Sequence, residues 1–222
     1  MRLLRYDGDI VIEDANGKPR FVMENVRFKS GEAVVTGENS LASVGLDDTK
    51  IVSLDQNTRV EFFKNGGHMR LKLTVGTLLL DVREKLDENE SLDGETSNLS
   101  VGITGTVPKV TVEKVDGITF VKVTLLEGCV KVGYKDENGK EQIVTINAGY
   151  TAIFTYTDQD NKVDCPVEVR KTVYADLEGF VNKLMEKDPE LKKRILAARG
   201  QSEDENGENK PVGSPVTAPT TD

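Results

Sequence analysis

Apolar and polar residues alternate with a period of two through most of this chain, the spacing that gives a strand one buried and one wet face. Leu71, Leu73 and Val75 alternate with Arg70, Lys72 and Thr74, which predicts a half-exposed strand. Residues 77–82 are apolar nearly throughout and predict a more buried one. Short runs of this kind recur over residues 4–6, 10–12, 21–28, 33–36, 41–46, 51–54, 60–63, 110–115, 118–126, 129–134, 142–146, 150–157 and 167–173. Turn signals separate them, among them Asn16-Gly17, Asn65-Gly66-Gly67 and Asn138-Gly139. No helical pattern of 10–15 residues intervenes, which argues against a parallel α/β sheet. The pattern predicts an all-β domain over residues 1–172, a solenoid-like or sandwich-like stack of short, mostly antiparallel strands.

The apolar phase slips at residues 98–108. Leu99, Val101 and Ile103 occupy odd positions, whereas Val110 and Val112, beyond Pro108, occupy even ones. One added residue moves every side chain to the other face. Gly102 and Gly105 interrupt the strand at the same place, and glycine in a strand marks a bend or a close backbone approach. The chain is expected to turn a corner here and join two blocks of strands.

Two stretches break the β pattern. Residues 84–95 carry six carboxylates against Lys85 alone, and predict a solvated acidic loop. Asp87, Asn89 and Ser91 imitate the start of a calcium loop, but Leu92 stands where glycine is required. From Tyr174 the period changes. Leu177, Phe180, Val181, Leu184 and Met185 share one helical face. Asp188-Pro189 then restarts a helix as N-cap and first helical residue, Leu191, Ile195 and Leu196 form its apolar face, and Gly200 fits its end. Residues 173–200 are expected to form a helical hairpin capping an exposed end or edge of the β domain, the alternative being a docking element. Residues 201–222 are acidic, then rich in Pro and Thr, and are expected to be a disordered tail or linker.

The 222 residues hold 38 acidic and 29 basic side chains, a net charge of −9. That balance excludes a nucleic-acid partner, which needs a basic face. Aromatic residues make up 5% and tryptophan is absent, so the core must be built from Val, Ile and Leu. Cys129 and Cys165 are no disulfide framework. Their apolar neighbours predict two buried thiols, with one disulfide open in an oxidising compartment. No apolar run approaches the ~18 residues of a membrane span, so this segment does not insert directly. Its opening, straight into a strand pattern, fits a native cytoplasmic start and equally the outer part of a longer anchored chain.

His68, the only histidine, lies beside a Gly-Gly turn and reads as solvated. Without a second histidine or paired cysteines no zinc set forms. Gly102 to Thr106 lacks the lysine and helix of a phosphate loop. No nucleophile elbow occurs. Carboxylates are plentiful, but platforms for sugar are scarce. No catalytic residue, metal or cofactor is assigned.

The order of several short motifs resembles the FecR domain family over about residues 3–156. They run Gly8-Asp9-Ile10-Val11, Ser30-Gly31-Glu32 with Thr36-Gly37, Leu46-Asp47-Asp48-Thr49-Lys50, and Val75-Gly76-Thr77-Leu78. Gly102-Ile103-Thr104-Gly105-Thr106, Leu126-Glu127-Gly128-Cys129-Val130 and Asn147-Ala148-Gly149-Tyr150 follow. Thr104 stands where the family's signature usually has arginine. The resemblance implies an extracytoplasmic β domain, on the cell surface or in the periplasm, behind a membrane segment. Relatives in iron–siderophore systems sense an outer-membrane receptor and control an anti-sigma factor. It implies a non-enzymatic sensing or protein-interaction role with a protein partner. Gly102, Ile103, Thr104, Gly105 and Thr106 then form a structural signature at a partner-facing corner. A structural or glycan-binding cell-wall module is the alternative. Partner identity and oligomeric state are left open by the residues.

Overall fold

The computed structural model describes residues 1–20, 22–23, 25–157, 162–164, 166–177 and 179–198, with the backbone of 201–203 and 209–211. Its strands are β1 (Arg2–Asp7), β2 (Ile10–Glu13), β3 (Pro19–Arg20), β4 (Glu32–Thr36), β5 (Leu41–Gly45), β6 (Lys50–Leu54), β7 (Arg59–Asn65) and β8 (His68–Val82). They continue as β9 (Ser91–Glu95), β10 (Leu99–Ile103), β11 (Val107–Val115), β12 (Ile118–Glu127), β13 (Cys129–Lys135), β14 (Glu141–Asn147), β15 (Tyr150–Thr157) and β16 (Glu168–Lys171). A 3-10 turn (Tyr174–Asp176) leads to α1 (Phe180–Lys187) and α2 (Pro189–Ala198).

The strands form two layers. Sheet A has the order β1-β5-β6-β8-β11-β12-β15-β16, and sheet B the order β3-β2-β4-β7-β8-β9-β10-β13-β14. Strand β8 belongs to both. His68–Val75 pairs with β7 in sheet B, and residues 76–82 pair with β6 and β11 in sheet A. Gly76 is the hinge, with φ +94°. A Cβ there would lie 2.5 Å from the Thr58 Cα and 2.7 Å from the Asn57 carbonyl oxygen, so no side chain fits. Beyond β8 the chain winds between layers two strands at a time. β9 and β10 lie in sheet B, β11 and β12 in A, β13 and β14 in B, β15 and β16 in A. Among the described strands, all pairings are antiparallel except β8 with β9.

The inner faces share one core. Val52, Leu80, Val121, Val123 and Phe154 of sheet A meet Val60, Phe62, Leu71, Leu92 and Val132 of sheet B, each essentially inaccessible. Burial of each such side chain contributes about 1.5–3 kcal/mol. The expected phase slip is where the chain changes layer, since β10 ends at Ile103 in sheet B and β11 begins at Val107 in sheet A.

Two expectations need correction. Residues 22–23 and 25–28 form a loop rather than a strand, with one bridge between Arg27 and Arg2. Asn25 has φ +58°, which extended backbone does not allow. Phe28 is nonetheless buried, edge-on to Phe62 at 5.3 Å. The acidic stretch ends as strand β9, because Leu92 points into the core while Asp93 and Glu95 alternate outward beside Arg70 and Lys72. The helical hairpin rests where β8 and β12 end and β11 begins. It lies on the outer face of sheet A, where Phe180, Val181, Leu184, Leu191 and Ile195 enclose Leu41, Leu79, Val107 and Leu126. Residues 77–82 are therefore buried on both sides, with Leu78 and Leu80 in the core and Leu79 under the helices.

Asp188 caps α2 as its sequence predicts, accepting from the Leu191 N–H at 3.0 Å. Gly200, the expected helix end, lies outside the described residues. In the tail, Gln201–Glu203 pairs with Asn209–Pro211. Residues 204–208 and 212–222 lie outside the description.

Candidate interaction surface

The hairpin is fastened over sheet A by charge as well as by apolar contact. Arg194 donates to Asp81 at 2.6 Å, to Glu127 at 2.9 Å and to the Val82 carbonyl at 3.2 Å. Arg83 bridges Asp81 and the cap residue Asp188. At the hairpin's start, Asp176 accepts two bonds from Arg170, at 2.7 and 2.8 Å, and one from the Val173 N–H. The Arg170 guanidinium holds the Asp176 carboxyl below its usual value, against burial that pushes it up. Lys109 reaches from β11 to the Asp176 carbonyl at 2.6 Å, and burial lowers its pKa against the attraction of Asp176 and Asp55. The part of sheet A's outer face around Leu79, Val107 and Leu126 is thus occupied by the chain itself.

Among the described residues, nothing covers the outer face of sheet B. Charges of both signs alternate across it. Arg59 pairs with Glu13 and Glu61, and Arg70 pairs with Glu95 while lying 4.4 Å above the Phe63 ring. His68 meets Ser91 at 3.0 Å. Towards β14 the face flattens, because Ser100, Gly102 and Gly133 project little, and Ile143 stands up beside them.

Two shallow grooves lie along this sheet. One, of about 860 Å³, runs from the turn of residues 95–98 past Gly133 and Tyr134 to Glu141 and Ile143. The other, about 330 Å³, lies among Phe63, His68, Arg70 and Asp93. Asn98, in the wall of the larger groove, has both carboxamide atoms buried without a hydrogen-bond partner. A buried polar atom left so costs about 1–3 kcal/mol, so this wall has unused bonding capacity.

The five signature residues divide between packing and surface. Ile103 is in the core. Gly105, at φ +120°, brings its backbone against Lys85. Thr106 is buried, and its carbonyl accepts from the Val82 N–H at 3.4 Å. Gly102 and Thr104 are exposed, Gly102 on the open face of sheet B. The signature forms the passage between layers, and Thr104, in the place of the family's arginine, lies at its surface.

Cys129 corrects the expectation of two buried thiols. It is exposed and free, because Val130 and Val132 take the inward positions of β13 and leave Cys129 and Lys131 facing out. Cys165, and with it any pairing, lies outside the described residues.

Residues 32–131 match the family model of the FecR protein. Over this stretch the chain is similar to FecR. Two crystal structures of a candidate anti-sigma factor from Parabacteroides distasonis, at 1.65 and 2.50 Å resolution, have a similar fold. Each superposes with a TM-score of 0.51 at 13% identity and covers 82% of this chain. The match covers 86% of the first neighbour's chain and 85% of the second's. No curated protein matches. The FecR segment spans β4 to the first residues of β13, so it contains the hinge, the layer crossing and most of the open face of sheet B. The helical hairpin lies beyond it. No helix among the described residues is long and apolar enough to cross a membrane.

Proposed function

We propose that this chain is the extracytoplasmic, non-enzymatic protein-interaction domain of a membrane-anchored signalling regulator, and that it engages its partner through the outer face of sheet B. The observation that carries the reading is the asymmetry of the sandwich. Part of one outer face is covered by the chain's own hairpin, while the other is open and carries both grooves and the exposed part of the FecR signature. The FecR match supports a role in signalling, and the similar fold of a candidate anti-sigma factor agrees with it. Gly102 and Thr104 are the signature positions available to a partner at the layer crossing.

A glycan-binding role finds less support. Sugar platforms are exposed aromatic rings, and among the described residues the open face of sheet B offers Phe63, over which Arg70 already lies.

The test is the location of the native protein in its own cells. Protease added to intact or outer-membrane-permeabilised cells is expected to degrade the FecR domain while cytoplasmic markers survive. Survival of the domain until the cytoplasm is opened would sink the reading.

A further inference from the structure

Open strand edges template pairing with other chains, and folded proteins guard them with charge, proline, bulges or cover. Three of the four edges of this sandwich are guarded. β1 carries Arg2 and Arg5 and a register break, and its free side is met by residues 26–28, through Leu3 N–H to Val26 O at 2.9 Å and Phe28 N–H to Met1 O at 3.3 Å. β3 is two residues long and begins with Pro19. β16 is four residues long, with Arg170 drawn to Asp176. β14 has no such guard. It runs for seven residues, Glu141–Asn147, without Pro, Gly, Lys or Arg, and pairs with β13 without a break. Among the described residues no strand pairs with its other side.

The strand is complementary to itself. Set antiparallel about Val144, it places Val144 opposite Val144, Ile143 opposite Thr145, Gln142 opposite Ile146 and Glu141 opposite Asn147. No charge meets a like charge. The two copies of Ile143 become diagonal neighbours on the outer face, within side-chain reach. Ile143 is 72% exposed, the highest value for a large hydrophobic side chain among the described residues. Its cross-strand neighbour on β13 is Gly133, which offers it nothing to pack on.

We propose that β14 is a contact between two copies of this chain, joined antiparallel about Val144 so that sheet B continues from one protomer into the other. One strand pair with one isoleucine contact falls short of the ~1,200 Å² of a standard interface, and two chains of net charge −9 repel each other. The dimer is therefore weak, with a dissociation constant of roughly 10 μM to 1 mM, and is strengthened by salt.

Sedimentation of the full chain under reducing conditions, from about 10 μM to 1 mM, tests this. The mass is expected to rise towards twice 24.4 kDa, further at high salt, with the amides of residues 141–147 gaining protection from hydrogen exchange. Ile143→Lys and Thr145→Lys, both at exposed positions, are expected to weaken association tenfold or more without changing Tm. A chain monomeric at the highest concentration would overturn the proposal. So would a dimer indifferent to both substitutions, one that leaves residues 141–147 unprotected, or one lost on reduction, which would trace to Cys129 instead.

Discussion

At Gly76 the backbone must turn from one sheet into the other at a positive φ, with Thr58 and Asn57 filling the space where a side chain would go. Gly76→Ala is expected to cost about 3 kcal/mol or more, from strain and overpacking together. Gly105→Ala is expected to cost about 1–2 kcal/mol, since Lys85 is the flexible neighbour that must move. Gly102→Ala meets nothing within 4 Å and should change stability by less than about 0.5 kcal/mol. Urea unfolding of the three variants checks this order, and a Gly102 effect as large as that of Gly76 would contradict it. The sequence showed the glycine-marked corner near residue 105, because there the phase of the apolar residues also changes. It did not show the hinge at Gly76, because residues 77–82 are apolar nearly throughout, which hides the change of the core positions from odd (Leu71, Leu73) to even (Leu78, Leu80). Cys129 was misjudged from its apolar neighbour, although the alternation of Val130 and Val132 already placed it outside.

At the level of elements, the hairpin and its cap were legible from periodicity and from Asp188-Pro189. Its resting place was not, because an amphipathic helix pair fits any apolar surface. The deciding signal was Leu79, an apolar residue at an outward position of β8. Arg194 is the fastening that the period could not show. Arg194→Met is expected to destabilise the protein by about 1–3 kcal/mol, discounted for partial exposure and for the Arg83 that Asp81 retains. It should also open residues 177–198 to proteolysis, and unchanged protection there would refute the clamp. Asp176 gives the hairpin a pH dependence. Its folded pKa lies below its ordinary value of 3.8, so its stabilisation is present above that pH and is lost as pH falls through the folded value. Asp176→Asn should lower Tm at neutral pH and flatten the fall in Tm below about pH 3.8. Parallel wild-type and variant curves would show that the Arg170 pair contributes nothing. Strand β9 was hidden in its acidic surroundings, since a strand with one buried residue, Leu92, leaves almost no period to read.

Over the whole molecule, winding two strands at a time between layers sets strands distant in sequence side by side, as β10 beside β13 and β12 beside β15, and the hairpin covers part of one outer face while the other stays open. The all-β class and the FecR resemblance were readable from many short motifs in a fixed order. Which face remained open was not, because it depends on where the hairpin docks. The central claim is that the open face of sheet B is the working surface, and crosslinking in the native cell tests it most directly. A photoreactive residue would replace Lys72 or Lys131 on sheet B, and Lys183 or Glu186 on the hairpin, all at exposed positions. Adducts to a second protein from Lys72 and Lys131, with none from the hairpin positions, are expected. Adducts from the hairpin alone would contradict the account and make the helices the docking element.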